Sequence, residues 1–85
     1  MLAHRKTARA FLFSQDRPTF LEIVYRAKVN PTQKEILYKH ILDEKELALI
    51  GDEIGLTENR VSHLAAEAYD LVYKYITKNN ILTTE

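Results

Sequence analysis

The sequence predicts one small all-α domain of four to five helices. Its 85 residues bury only about 60% of the surface of the unfolded chain, so every element must share one core. Only two glycines and two prolines interrupt the chain, and no segment alternates β-branched and polar residues as a strand does. Apolar residues instead recur at intervals of three and four, which places them on one face of a helix.

The first helix is predicted over about residues 2–13, with apolar side chains on one side and basic side chains on the other. Its start has no capping residue, so part of it is open to being a flexible arm. Pro18 interrupts the chain, because the residue before a proline disfavours helical geometry. A second helix is predicted over about 19–28, since Thr19 and Glu22 have the spacing of a capping box.

The third helix is predicted over about 32–42. Asn30 or Thr32 can cap it, and Pro31 is tolerated in a first helical turn, where its missing N–H costs nothing. Glu35 lies three residues after Thr32, which is again the spacing of a capping box.

Two further helices complete the prediction. Asp43 is expected to cap a fourth helix over about 44–54, and Gly55 ends it, as glycine commonly does just after a helix. Thr57 is expected to cap a long last helix that runs to about residue 78.

The segment 46–64 fits the pattern of a helix-turn-helix, in which two helices cross steeply. The crossing needs a small residue where the backbones approach, and the turn needs positive φ; Gly51 and Gly55 satisfy these two requirements. The apolar residues that would lock the pair are Ile50, Ile54, Val61 and Leu64, and Leu56 would fill the gap under the turn. The alternative is an ordinary helical hairpin with a glycine cap.

Three runs carry a family resemblance: Pro31–Leu37, Ile50–Leu56, and Thr57–Leu64 followed by Ala68. Together they resemble the fourth conserved region of bacterial sigma factors, which reads an upstream promoter element and touches RNA polymerase. Sigma-like phage late-gene regulators and response-regulator output domains have a similar pattern. The resemblance covers about residues 32–72, and it implies a phage or bacterial transcription regulator.

These patterns divide the single predicted domain, residues 1–85, into three parts. They are a basic helical segment (1–30), the helix-turn-helix domain (31–78) and a tail (79–85). Asn79 and Asn80 are expected to end the last helix, and Ile81 and Leu82 to fold back on the core.

In a helix-turn-helix the second helix enters the major groove with its N-terminal residues facing the base edges. Asparagine can pair with adenine, arginine with guanine, and glutamate can accept a hydrogen bond from cytosine. The candidate DNA-contacting residues are Thr57, Glu58, Asn59, Arg60, Ser62 and His63. Thr57 and the first backbone amides of the helix are candidates to hold a phosphate. The alternative role of Glu58 is to favour the helix dipole.

Charge is uneven along the chain although the net charge is zero. Residues 1–30 hold six basic and two acidic side chains, whereas residues 31–57 hold three basic and six acidic ones. DNA affinity depends on phosphate neutralisation by lysine and arginine. The candidate phosphate contacts are Arg5, Lys6, Arg9 and Lys45. For the first three the alternative is a solvated helix face.

The last helix offers a candidate interface in Tyr69, Tyr73 and Tyr75. Tyrosine suits an interface because it buries a large ring and keeps a polar tip. So few cations predict weak binding by a monomer, so a homodimer or a second protein partner is expected. The alternative is that this helix is simply the central helix of the core.

Enzymatic and metal-dependent functions are not predicted. There is no cysteine, no glycine-rich phosphate loop and no nucleophile elbow, and the three histidines (His4, His40 and His63) lack the spacing of a helical metal pair. No cofactor is expected. No apolar run approaches the length of a membrane span, and without a recognisable leader a cytoplasmic location is expected.

Three functions, from two different classes, remain open from the sequence. The first is a DNA-binding transcriptional regulator that reads duplex DNA with residues 57–64. The second is a protein-interaction module that docks RNA polymerase or another partner with little DNA contact, a reading favoured by the neutral net charge. A third is the DNA-binding piece of a phage packaging subunit.

Overall fold

A computed structural model describes residues 2–81. Over this range the chain forms five α-helices and no strand, which confirms the predicted all-α class. The helices are α1 (Ala3–Phe13), α2 (Arg17–Arg26), α3 (Pro31–Leu37), α4 (Leu47–Ile54) and α5 (Glu58–Lys78); a π-helical turn (Tyr38–Leu42) follows α3 directly.

Helix α5 is the centre of the domain, and α1, α3 and α4 all pack against it. Its buried side chains recur every three or four positions, as expected for a helix with one core-facing stripe. They are Val61, Leu64, Ala65, Ala68, Tyr69, Val72 and Ile76. Fully buried side chains from the other helices, including Leu12, Phe20, Ile36 and Ile50, complete one continuous core.

The N-terminal segment is a packed helix rather than a flexible arm. Ala8 and Leu12 on α1 are completely buried, and α1 packs along α5. The helix predicted over about 2–13 is therefore confirmed. Burial of these apolar side chains opposes detachment, so the alternative of a flexible arm does not apply to the described residues.

Helix α2 begins earlier than predicted. The carboxylate of Asp16 accepts a hydrogen bond from the Thr19 amide (3.0 Å), so Asp16 is the N-cap and Arg17 the first helical residue. Pro18 falls in the first turn, where proline is compatible with a helix. The predicted capping box of Thr19 and Glu22 is therefore wrong.

Helix α3 starts with a capping box made by different residues from those predicted. The Asn30 side chain accepts from the Gln33 amide (2.8 Å), and the Gln33 side chain accepts from the Asn30 amide (3.2 Å). The box expected between Thr32 and Glu35 is absent because Asn30, one of the two candidate caps, starts the helix two residues sooner.

The segment between α3 and α4 differs most from expectation. The π-helical turn closes with a hydrogen bond from the Asp43 amide to the Tyr38 carbonyl (3.3 Å). Asp43 therefore ends this turn instead of capping the next helix. Glu44 follows with a left-handed φ of 57°, and α4 starts only at Leu47.

The junction between α4 and α5 agrees with prediction. Gly55 has φ of 79° and ends α4. Thr57 caps α5, because its hydroxyl accepts from the Arg60 amide (3.1 Å). At the far end Asn79 ends α5 as expected. Ile81 remains 38% exposed instead of folding onto the core, and Leu82 lies outside the described residues.

Candidate nucleic-acid interface

The direction of α5 is set by close contact between two backbones. A Cβ atom added to Gly51 would lie 2.5 Å from the Leu56 carbonyl oxygen and 3.4 Å from a Val61 methyl carbon. The Gly51 carbonyl also accepts hydrogen bonds from the amides of Gly55 (2.8 Å) and Leu56 (2.9 Å). The turn can therefore pass this close to α4 only because residue 51 has no side chain.

The apolar residues predicted to lock the α4–α5 pair lie in or against the core. Ile50, Val61 and Leu64 are buried, while Ile54 and Leu56 are half-buried and pack against the buried cluster. This packing fixes the start of α5 relative to the rest of the domain.

The candidate DNA-contacting side chains all lie on the exposed part of the α5 start. They are Thr57, Glu58, Asn59, Arg60, Ser62 and His63. Among residues 2–81 no acidic side chain forms an ion pair with Arg60. The Thr57 hydroxyl is used by the Arg60 amide, so a phosphate at this terminus would meet the amides of Glu58 and Asn59.

The candidate phosphate contact Arg5 is engaged within the protein. Its Nε and Nη2 donate to the two carboxylate oxygens of Asp70 (2.8 and 2.9 Å), and His4 Nε2 lies 2.6 Å from the same carboxylate. This fork clamps α1 onto α5. Arg5 therefore braces α1 against α5 in the structure, and its role as a phosphate contact stays a prediction.

Acid is expected to weaken this clamp. The hydrogen bond from Arg5, and secondarily that from His4, holds the pKa of Asp70 below its ordinary value of 3.8. A carboxyl whose pKa is lowered by folding stabilises the protein at pH values above its pKa in the unfolded state. This stabilisation is lost as the pH falls through its pKa in the folded state. Asp70→Asn should therefore reduce the loss of stability below about pH 4. Urea unfolding at pH 7 and pH 3 measures this, and an unchanged pH dependence would contradict it.

Lys45 is also engaged, in a second cluster of charges. Its Nζ lies 2.9 Å from Glu53, which also pairs with Lys39 at 3.1 Å. Hydrogen bonds from Lys45 and Lys39 lower the pKa of Glu53. The cluster ties the segment before α4 to the last turn of α4, so Lys45 is not a free cation. The two remaining candidates, Lys6 and Arg9, are exposed.

The three candidate interface tyrosines have different environments. Tyr69 is only 2% exposed, because it lies on the same helical face as Ala65 and Val72. Its placement at an interface is therefore wrong, and the alternative of a core position applies to it. Tyr73 and Tyr75 are half-buried, and the Tyr73 ring packs against His4 with centroids 5.4 Å apart.

A second basic surface, which the sequence analysis missed, lies at the opposite end of α5. Here α2 and α5 form a cleft of about 360 Å³ around Leu71 and Tyr75. The cations that line this basic cleft are Arg26, Lys28, Lys74 and Lys78. Lys74 and Lys78 are four residues apart and so share a helix face, a signal present in the sequence, but the contribution of α2 depends on tertiary packing.

Comparisons with protein-family models, curated protein sequences and solved structures find no match to this chain. The similarity to the fourth conserved region of sigma factors thus stays a prediction from the residues quoted above. Of the helices described between residues 2 and 81, none combines the length and apolar composition of a membrane span.

Proposed function

We propose that this protein is a DNA-binding transcriptional regulator, of the sigma-like phage or bacterial kind, that reads duplex DNA through a helix-turn-helix formed by α4 and α5. The observation that carries the proposal is the exposed row of hydrogen-bonding side chains at the start of α5, directly after the tight turn at Gly55. The proposed role is binding without catalysis, in the cytoplasm where promoters are read.

The chemistry of this row suits the edges of base pairs. The major groove is wide enough to admit an α-helix, and its edges distinguish all four base pairs. Asn59 can exchange two hydrogen bonds with adenine, and Arg60 can donate two to guanine. The amides at the start of α5 can hold a backbone phosphate, assisted by the helix dipole.

A monomer has few lysine and arginine side chains that can contact DNA phosphates. Arg5 and Lys45 are neutralised by Asp70 and Glu53, which leaves few side chains to release counterions from DNA. We therefore expect specific binding to require a homodimer, whose two halves contact successive major grooves, or a protein partner such as RNA polymerase.

Arg60→Ala should lower affinity for duplex DNA by about tenfold or more, since one good base contact is worth about 1–3 kcal/mol. Arg60 is exposed and its side chain forms no ion pair among residues 2–81, so the fold should be unaffected. Fluorescence anisotropy with a pool of genomic duplex fragments at several salt concentrations measures this.

The matched control is Lys78→Ala, which removes the same charge from the other end of α5. It should leave DNA affinity within about twofold of the parent, because a surface charge beyond a Debye length of about 10 Å is largely screened. Equal losses in the two variants would indicate non-specific attraction and contradict base reading by Arg60.

The basic cleft favours a second candidate function, a protein-interaction module. Lys28, Lys74 and Lys78 surround apolar surface from Leu71 and Tyr75, a combination that suits an acidic segment of a protein partner. Under this alternative, Lys74→Glu with Lys78→Glu would abolish partner binding, and Arg60→Ala would have no effect on it.

A further inference from the structure

A cleft unrelated to the basic cleft lies between α1 and α5, beside the π-helical turn and the start of α4. We name it the α1–α5 cleft; its volume is about 460 Å³, within the range of about 300–1,000 Å³ that is usual for small-ligand sites. The lining residues used below are Arg5, Arg9, Leu47, Ala65, Ala66 and Tyr69.

The Tyr69 side chain contributes a polar group without a partner to this lining. Its hydroxyl is buried and forms no hydrogen bond with any group of residues 2–81, and Tyr69 as a whole is 2% exposed. Buried polar atoms in proteins nearly always have a hydrogen-bond partner. An unpaired hydroxyl in the wall of a cleft therefore marks a place for a ligand atom.

This hydroxyl stays protonated throughout the physiological pH range, so it can donate a hydrogen bond. Burial raises the pKa of Tyr69 to about 12, and the positive charge of Arg9 acts in the opposite direction. A neutral phenol can donate a hydrogen bond to an anion, and such charge-assisted bonds are stronger than those between neutral groups.

The cleft also holds a cation that is not neutralised by an ion pair. Arg5 pairs with Asp70 through its Nε and Nη2. Arg9 forms no ion pair among residues 2–81 and only stacks over Phe13, 5.5 Å from the ring centroid. Arg9 is therefore the group available to receive a negative charge.

We propose that the α1–α5 cleft binds a small organic anion, meaning a carboxylate or phosphate attached to an apolar group. The acid group would accept hydrogen bonds from the Arg9 guanidinium and the Tyr69 hydroxyl. The apolar part would lie against Leu47, Ala65 and Ala66, because these side chains provide the apolar wall of the cleft.

A backbone phosphate of DNA has the same chemistry as the proposed acid group. The Tyr69 hydroxyl lies below the molecular surface, however, where a phosphate fixed within a duplex does not reach. A small anion would instead enter the cleft and displace the exposed Arg9 side chain that lines it. The proposal therefore commits to a free small molecule. Arg9 is also a candidate phosphate contact, and Ser62, a candidate DNA-contacting residue, lines the same cleft, so the test treats duplex DNA as the alternative occupant.

The test is a titration of the ¹⁵N-labelled protein with phenyl phosphate, followed by amide chemical shifts, with benzyl alcohol as the neutral probe. Phenyl phosphate should give saturable shifts at Ala65, Ala66 and Tyr69 at millimolar concentration, and benzyl alcohol should not. Arg9→Gln and Tyr69→Phe should each weaken binding about tenfold, which corresponds to about 1.4 kcal/mol.

The test includes one variant that should not disturb the fold and one control for the loss of charge. Tyr69→Phe removes a hydroxyl that has no hydrogen-bond partner in the described part of the chain, so the variant should fold. Lys6→Gln removes one charge from the same helix outside the lining of the cleft, and it should leave binding unchanged.

Three results would overturn the proposal: no saturable shifts, equal binding of benzyl alcohol, or equal losses in Lys6→Gln and Arg9→Gln. A fourth is perturbation of the Tyr69 environment by duplex DNA but not by phenyl phosphate, which would assign the cleft to DNA.

Discussion

Gly51→Ala is expected to destabilise the protein by about 2–3 kcal/mol, the magnitude of an overpacked core site. The same change inside an exposed helix would stabilise by about 1 kcal/mol, because alanine favours helix more than glycine does. Here the added Cβ would lie 2.5 Å from the Leu56 carbonyl oxygen. That oxygen belongs to the backbone of the turn, so α4 and α5 must separate. Urea unfolding followed by circular dichroism measures the loss.

Gly55→Ala is the matched comparison, since nothing lies within 4 Å of a Cβ added there. Its cost should be smaller, about 1–2 kcal/mol, and should arise only from the left-handed backbone conformation. A Gly51→Ala variant as stable as the parent would show that α4 and the turn are not in contact, and it would remove the structural basis of the proposed DNA-reading helix.

Gln33→Glu is expected to destabilise the protein by about 3 kcal/mol at pH 7, as expected for an uncompensated buried charge. Gln33 is only 3% exposed, and its Nε2 donates to the Leu64 carbonyl (3.2 Å). The new carboxylate would face that carbonyl oxygen without a proton to donate. Glu67, whose carboxylate lies 3.5 Å from Nε2, would add repulsion.

The pH dependence of stability in Gln33→Glu shows whether the loss comes from the buried negative charge or from a change in packing. Burial raises the pKa of the new carboxyl above its unfolded value, so protonation favours the folded state and part of the stability should return as the pH is lowered toward 5. The matched control is Gln15→Glu, at a half-buried site at the end of α1, which should cost at most about 1 kcal/mol. Equal losses in the two variants would contradict the assigned role of Gln33.

The sequence predicted best those features that are determined locally. Gly55 and Thr57 mark the junction of α4 and α5 because positive φ and hydroxyl capping are properties of single residues and their near neighbours. The prediction was wrong where two neighbouring residues could each cap the same helix. Asn30 and Thr32 were both possible caps, and the reciprocal bond with Gln33 decided between them.

Features that depend on tertiary packing could not be predicted from spacing alone. Tyr69 was assigned to an interface because tyrosine is amphipathic, yet its position on the α5 stripe places it in the core. Arg5 was assigned to phosphate, yet its partner Asp70 is 65 residues away in the chain. The basic cleft likewise requires the end of α2 to lie beside the end of α5.

The most direct test of the central claim is to map the DNA-contacting surface on the ¹⁵N-labelled protein at low salt. Our account predicts that duplex DNA shifts the amides of residues 57–63, that these shifts diminish steeply as salt is raised, and that Arg60→Ala removes them. Shifts confined to Lys28, Lys74 and Lys78, or no binding at low salt, would contradict it.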